Sequence, residues 1–184
     1  SITILFSDLK EFTSISEVLG PEAISELLNE YLSVMNEVIF DHQGTIDKFI
    51  GDAIMVIFGA PQDQSALEQV EKATTCALAM QEAMATLGEA WRARGVGELQ
   101  MRIGIHHGHA VVGNFGSAQR SDYTAIGPSV NLASRIETAC EPGKVFVSDT
   151  VRSLMPATIT AEAAGDHSLK GIEGDVKLFT IARG

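Results

Sequence analysis

The chain is poor in cysteine, in aromatic residues and in positive charge. It has two cysteines, five prolines and one tryptophan, and aromatic side chains make up only 6% of its 184 residues. Cys76 and Cys140 lack the spacing of a metal site, so we expect free thiols in a reducing, cytoplasmic compartment. Lys and Arg number 13 against 24 Asp and Glu, a net charge of −11. This charge argues against binding to nucleic acid or to an anionic membrane.

Long hydrophobic runs are also absent. No apolar stretch approaches the roughly 20 residues that span a bilayer, and no signal peptide is visible. Hydrophobic residues make up 45% of the chain, so we predict one domain over residues 1–184 with a core of its own. Because the sequence opens directly into an apolar run, we expect this domain to be cut from a longer protein with an upstream sensor domain.

Hydrophobic periodicity predicts the secondary structure. Apolar runs predict strands at 2–6, 45–50, 53–58, 101–105, 110–112, 123–126, 145–148 and 176–181. Apolar residues at spacings of three and four predict helices at about 21–39, 65–94 and 128–138. We expect one β-hairpin to turn at Gly51-Asp52 and a second at residues 106–109. This order predicts an α+β fold, with helices over an antiparallel-rich sheet.

Two carboxylates fall where predicted strands end. Asp8 follows the first apolar run, and Asp52 lies in the turn of the first hairpin. A sheet can bring such residues together, and paired carboxylates can hold divalent metal ions that drive phosphoryl chemistry. The alternative is that Asp8 caps the next helix and Asp52 only makes a turn. Lys48, four residues before Asp52, suggests a contact to a base or a phosphate.

Three segments together resemble the motifs of one family. They are residues 6–13 (FSDLKEFT), 48–53 (KFIGDA) and 123–135 (YTAIGPSVNLASR). In this order and spacing, the chain resembles the catalytic domain of class III nucleotidyl cyclases over nearly its whole length. The resemblance implies a ferredoxin-like βαββαβ core with additional strands and helices. It also implies head-to-tail homodimers with two equivalent active sites in the cleft between subunits.

The resemblance implies roles for residues near the first strand. Asp8, Asp52 and the backbone of Leu9 match the ligands of two divalent metal ions, Mg²⁺ or Mn²⁺. Phe12 and Thr13 match the loop whose backbone N–H groups hold phosphates.

The phosphate loop departs from the family pattern at one position. The family usually has glycine just before the phenylalanine, where this chain has Glu11. An outward carboxylate at this position is harmless, whereas an inward one would weaken nucleotide binding or alter metal use.

Lys48 and Thr124 match the pair that selects the base. Adenine N1 accepts a hydrogen bond and its N6 amine donates one, whereas Lys only donates and a Thr hydroxyl can accept. Guanine N1 carries a hydrogen and would meet Lys48 donor to donor, so ATP is the expected substrate. Thr124 stands where the commonest adenylyl pattern has Asp, and it discriminates less because its hydroxyl can also donate to guanine O6. Threonine here resembles a bacterial and soluble subgroup of adenylyl cyclases that often responds to bicarbonate.

Asn131 and Arg135 match the pair that acts on the transition state. Four residues apart on the third predicted helix, they share one face. Asn131 would orient the ribose and Arg135 would stabilise charge on the α-phosphate. An ordinary helix-surface pair is the alternative. Arg102 and Lys170 match contacts to the triphosphate, and a structural salt bridge is the alternative for Arg102.

A cluster of histidines lies in the second predicted hairpin. His106, His107 and His109 invite a zinc site, but no acidic or cysteine partner shares their spacing, so we predict a plain turn.

These patterns favour an adenylyl cyclase that makes 3′,5′-cyclic AMP and pyrophosphate from ATP. One subunit would contribute the two aspartates and the phosphate loop, and its partner would contribute Lys48, Thr124, Asn131, Arg135 and Lys170. A guanylyl cyclase is the first alternative, and Lys48 argues against it. The second is a noncatalytic nucleotide-binding or dimerisation module.

Overall fold

The computed structural model describes all residues from Ser1 to Gly184. Nine strands and five helices follow one another along the chain. Their bounds are β1 Ile2–Lys10, α1 Phe12–Leu19, α2 Pro21–Asp41, β2 Thr45–Ile50, β3 Ala53–Phe58, α3 Ala66–Ala93, β4 Gln100–Gly108, β5 Val111–Gly116, β6 Ser121–Ile126, α4 Pro128–Ala139, β7 Val145–Ser148, α5 Asp149–Leu154, β8 Ile159–Ser168 and β9 Asp175–Arg183. None of the helices combines the length and apolarity needed to cross a membrane.

Seven strands form one mixed sheet in the order β2-β3-β1-β4-β7-β9-β8. The strands β1, β2, β3 and β4 pair antiparallel with their neighbours. The helices α1 and α2 connect β1 to β2, a tight turn connects β2 to β3, and α3 connects β3 to β4. This is the predicted ferredoxin-like βαββαβ core. The strand β7 pairs parallel with β4 and extends the sheet, while β5 and β6 form a separate two-stranded ribbon.

The second predicted hairpin is wrong. The strand β4 continues through His106 and His107 to Gly108 and pairs with β1 along its whole length. The buried His107 ring lies 2.8 Å from the Thr3 hydroxyl of β1, which anchors this extension. The next strand, β5, pairs with β6 instead. The histidines therefore lie mostly in a strand, and no group of three metal-ligating side chains forms around them.

Two further features differ from the sequence analysis. The first strand, expected over residues 2–6, runs to Lys10, so Asp8 lies inside β1 and the alternative in which it caps a helix is excluded. The edge strand β8 was not predicted, because most of its residues are exposed or half-buried and it lacks a clear apolar alternation. A register shift between Ala163 and Asp166 interrupts its pairing with β9.

The main core lies between one face of the sheet and the helices α2, α3 and α5. Its 28 buried residues include Leu5 and Ile103 from strands, with Tyr31 and Trp91 from helices. Burying one large apolar side chain contributes about 1.5–3 kcal/mol, so this cluster dominates the stability of the fold. The opposite face of the sheet packs against α4 and the β5–β6 ribbon.

Gly104 allows α4 to lie directly on β4. A Cβ atom at this position would stand 2.2 Å from the backbone nitrogen of Glu137, so any other residue would push the helix away. Arg102 lies two residues earlier on the same face of β4. The close approach therefore brings the last turns of α4, with Glu137, beside Arg102.

Candidate active site

Asp8 and Asp52 come together at one end of the sheet. Asp8 is carried by β1, and Asp52 lies in the turn between β2 and β3. The backbone N–H of Leu9 donates to Oδ2 of Asp52 at 2.8 Å, which ties that turn to β1. The two carboxylates, predicted from the ends of two apolar runs, are therefore neighbours in the fold.

The environment shifts the pKa values of the two aspartates in opposite directions. Burial alone would raise the pKa of Asp8, but hydrogen bonds from Arg102 and Glu137 outweigh it and hold this pKa below its usual value. Burial raises the pKa of Asp52, and the nearby Asp8 charge adds to this, despite the hydrogen bond from Leu9. A cation between the two carboxylates would offset their mutual repulsion and favour the charged form of Asp52. The pair therefore fits a hard divalent ion that prefers oxygen ligands.

Arg102 pairs with Asp8 across the sheet. The two residues are directly opposite in the β1–β4 register. Nε of Arg102 donates to Oδ1 of Asp8 at 2.9 Å and Nη2 donates to Oδ2 at 2.6 Å, while Nη1 donates to the Thr138 carbonyl at 3.1 Å. Within one subunit Arg102 thus makes the salt bridge that was its alternative role. Its predicted triphosphate contact stays a prediction, and it requires the guanidinium to be shared or released.

Glu137 was missed by the sequence analysis. Its Oε1 lies 3.6 Å from Nη2 of Arg102 and has no hydrogen-bond partner. Burial, and then the hydrogen bond and charge of Asp8, raise the pKa of Glu137 to about 9. The raised pKa favours the protonated form of Glu137, and Asp8 is the carboxylate that forms the close ion pair with Arg102. The only sequence feature that pointed to Glu137 was its position two residues after Arg135 in α4.

The helix α1 begins beside the two aspartates without a capping side chain. Glu11 precedes it with φ of 68°, a left-handed conformation that glycine adopts most readily. The Glu11 carboxylate is exposed and makes no hydrogen bond or ion pair, so it does not point inward. The backbone N–H groups around Phe12 and Thr13 have no side-chain acceptor, as a phosphate-binding helix start would require.

Lys48 and Thr124 are joined by Asp47, whose role the sequence analysis did not recognise. Asp47 is the extra residue of a β-bulge in β2, between Ile46 and Lys48. Its Oδ2 accepts a hydrogen bond from the Thr124 hydroxyl at 2.6 Å and one from the Ala125 N–H at 3.3 Å. Its Oδ1 lies 3.8 Å from Nζ of Lys48. The predicted base-selecting pair is thus brought together by one carboxylate.

Asn131, Arg135 and Lys170 have no partner within the subunit. None of the three side chains makes a hydrogen bond or an ion pair. The buried face of α4 carries Ala133, Ile136 and Glu137, whereas Asn131 is exposed and Arg135 half-buried. Glu137, not this pair, reaches the Asp8 site.

A surface cavity of about 570 Å³ lies away from these residues, between the end of α2 and the loop after β3, and is lined by residues such as Phe40 and Pro61. The five main cavities of the subunit are not lined by Asp8 or Asp52.

The family to which the chain belongs follows from comparison with known proteins. Residues 1–183 match the model of the adenylate and guanylate cyclase catalytic domain. The chain therefore belongs to this family, and the predicted resemblance is confirmed.

Curated relatives are much longer than this chain. Adenylate cyclase 1 of Rhizobium meliloti is 42% identical over 136 residues, which are 74% of this chain and 20% of that protein. Adenylate cyclase of Anabaena cylindrica is 39% identical over 140 residues, which are 74% of this chain and 26% of that protein. The chain thus matches about a fifth to a quarter of the length of these relatives.

Solved structures share the fold over its full extent. The adenylyl cyclase CyaB from P. aeruginosa is 41% identical with a TM-score of 0.96, over 100% of this chain and 94% of that one. The guanylyl cyclase Cya2 is 39% identical with a TM-score of 0.93, over 99% of this chain and 91% of that one. Overall similarity therefore does not distinguish an adenylyl from a guanylyl cyclase. The distinction depends on the residues that are predicted to contact the nucleotide base.

Proposed function

We propose that the chain is an adenylyl cyclase domain that converts ATP to 3′,5′-cyclic AMP and pyrophosphate. The observation that carries this proposal is the pair Asp8 and Asp52, held together by the Leu9–Asp52 hydrogen bond beside the uncapped start of α1. Adjacent carboxylates next to free backbone N–H groups suit a metal-bound triphosphate.

Each residue of the proposed site has a distinct task. Asp8, Asp52 and the backbone at Leu9 would hold two divalent ions, Mg²⁺ or Mn²⁺. The chemistry that such ions supply when bound is activation of the ribose 3′-hydroxyl and neutralisation of the triphosphate. The α1 start at Phe12 and Thr13 would bind phosphate oxygens. Lys170 and a released Arg102 would add positive charge at the triphosphate.

The remaining residues would act on the base and on the transition state. Lys48 donates to adenine N1, and Thr124 accepts from its N6 amine. Asn131 orients the ribose, and Arg135 stabilises charge that develops on the α-phosphate. Because Asn131 and Arg135 lack partners and lie away from the buried face of α4, we assign them to the active site of the partner subunit. A homodimer would then have two such shared sites.

A guanylyl cyclase is the second candidate, and the likeness to Cya2 favours it. Lys48 opposes it, because its ammonium cannot accept the hydrogen of guanine N1. A noncatalytic module is the third candidate. The presence of both aspartates, Asn131 and Arg135 argues against it.

The decisive experiment offers the purified protein ATP and GTP separately, with Mg²⁺ or Mn²⁺, and identifies products by chromatography. We expect cyclic AMP and pyrophosphate, with ATP preferred. Asp52→Asn is the matched inactive control, since it keeps the size of the side chain and removes one charge. Cyclic GMP as the main product would favour the second candidate. A folded dimer that turns over neither nucleotide would leave only the noncatalytic module.

Regulation extends the proposal. Thr124 resembles the subgroup that often responds to bicarbonate, so bicarbonate is an expected activator. Its effect is measured at fixed pH against equal concentrations of chloride. A sensor domain outside these residues belongs to the same proposal, since the curated relatives extend far beyond the region that they share with this chain. A cytoplasmic location is proposed because ATP is the expected substrate.

A further inference from the structure

The Thr124 hydroxyl can both donate and accept a hydrogen bond, which leaves the choice between adenine and guanine open. Its contact with Asp47 restricts this choice. A threonine hydroxyl has one hydrogen to donate and lone pairs that accept. A free hydroxyl can therefore donate to guanine O6 as readily as it accepts from the adenine N6 amine. Whether Thr124 favours adenine or guanine therefore depends on which acceptor its hydroxyl hydrogen is already bonded to.

In this structure the hydrogen points at Asp47. The Oγ1–Oδ2 distance of 2.6 Å is that of a strong charge-assisted hydrogen bond. Carboxylate oxygens only accept, so Thr124 must be the donor. With its hydrogen engaged, Oγ1 can offer only lone pairs to a bound base.

Burial keeps the hydroxyl in this orientation. The Asp47 side chain is only 1% exposed, and Thr124 is buried as a residue. Turning the hydroxyl towards guanine O6 would leave a buried carboxylate without its shortest hydrogen bond, a penalty that water cannot offset here. The bulge in β2 explains the geometry, because bulges redirect side chains and here let Asp47 reach Thr124 while Lys48 stays nearby.

We infer that Asp47 is a specificity-determining residue, which acts through Thr124 to fix its hydroxyl as an acceptor and so selects adenine over guanine. Asp47 is a positioning residue and does not touch the substrate. The same carboxylate lies 3.8 Å from the Lys48 ammonium, too far for a hydrogen bond, so Asp47 acts on the base through Thr124. This inference rests on the proposed nucleotide site and specifies how that site discriminates.

The experiment is a double-mutant cycle of Asp47→Ala and Thr124→Val. Asp47→Ala removes the acceptor of the Thr124 hydroxyl, which frees the hydroxyl hydrogen for guanine O6. We expect the ratio of kcat/KM for ATP over GTP to fall by about tenfold, with a gain for GTP that a purely structural defect would not produce. In the Thr124→Val background, Asp47→Ala should leave the ratio unchanged. Asp63→Ala, which removes an exposed carboxylate, is the charge-matched control.

Binding measurements separate this inference from the proposed activity. Competition with 3′-deoxy-ATP and 3′-deoxy-GTP, which lack the attacking hydroxyl, reports base preference without turnover. If the wild-type protein binds these analogues but makes no product, the proposed activity fails while the affinity ratio still tests Asp47. A ratio that is unchanged in Asp47→Ala, or that changes equally with and without the Thr124 hydroxyl, would overturn the inference. Binding of neither analogue would overturn both.

A second comparison guards against misfolding of Asp47→Ala. Thr124→Ser keeps the hydroxyl bonded to Asp47, and Thr124→Val removes it at nearly constant volume. We expect the serine variant to keep the ATP preference and the valine variant to lose about tenfold of it. Equal ratios in the two variants would contradict a role for the hydroxyl and for Asp47.

Discussion

Arg102 contacts both carboxylate oxygens of Asp8 across the β1–β4 pair, at 2.9 and 2.6 Å. The two side chains are mostly buried, with 16% and 22% exposed. Such a pair costs desolvation energy, but the removal of one partner costs more, since it leaves the other charge buried and unmatched. The guanidinium therefore occupies the position at Asp8 where a divalent ion is proposed to bind.

Arg102→Gln should destabilise the metal-free protein by about 1–3 kcal/mol at pH 7, because Asp8 loses its counter-charge. Urea unfolding measures the loss. Mg²⁺ or Mn²⁺ should stabilise this variant more than the wild type, because the cation no longer competes with the guanidinium. Arg92→Gln, which breaks an exposed pair with Glu98, is the control and should change stability by less than about 1 kcal/mol. Equal metal stabilisation of wild type and Arg102→Gln would contradict the competition.

Glu11→Gly should be neutral or stabilising by up to about 1 kcal/mol. Glu11 has φ of 68°, which is strained for a residue with a Cβ atom, and glycine relieves this strain despite its greater freedom in the unfolded chain. Glu17→Gly, inside α1, is the matched control and should cost about 0.5–1 kcal/mol. Urea unfolding compares the two, and an equal loss for both would refute the strain at Glu11.

His106 should make stability depend on pH below neutrality. Burial, and then the neighbouring His107, lower the pKa of His106 to about 4. Between this value and the unfolded pKa of roughly 6.5, the unfolded chain binds more protons, so stability is lost as pH falls. His106→Asn can keep a hydrogen bond to Ser148 and should lose less stability than the wild type between pH 7 and pH 4.5.

Urea unfolding at both pH values tests the His106 prediction. His109→Asn, which removes an exposed imidazole, is the control and should follow the wild type. The same loss of stability in His106→Asn and wild type would show that another group is responsible.

Shared active sites predict complementation between inactive variants. Asp52→Ala and Arg135→Ala should each be inactive alone, since each removes a required side chain from both active sites of its homodimer. A mixed dimer keeps one intact site, so an equal mixture should recover about a quarter of wild-type cyclase activity if the subunits exchange freely. Asp52→Ala mixed with Asp8→Ala is the control and should recover nothing. No recovery despite heterodimers detected by mass spectrometry would exclude shared sites.

Local patterns were sufficient for most of the fold. The periodic apolar residues of α3 predicted a helix from about Ser65, and Ser65 is its N-cap, with the capping box to Glu68. The turn at Gly51-Asp52 also lies where the flanking apolar runs predicted it. In each case a short stretch carries both the hydrophobic pattern and the residues that end it.

Strand pairing was less predictable. The runs at 101–105 and 110–112 look like a hairpin because they are neighbours in sequence, yet β4 pairs with β1 and β5 with β6. An alternating strand has the same pattern whichever partner it joins. The weakly patterned β8 was missed because it lies at the sheet edge, with little of its surface buried.

Residue type and spacing are enough to identify the chemical groups of the candidate site, namely Asp8, Asp52, Lys48, Thr124 and the Asn131–Arg135 pair. Their contacts with one another follow from the folded arrangement of the strands and helices. The cross-strand register sets Arg102 against Asp8, the bulge sets Asp47 against Thr124, and the close packing at Gly104 brings Glu137 beside Arg102. These contacts join residues 35 to 94 positions apart, and the Asp47–Thr124 contact also depends on one inserted residue, so no local pattern records them.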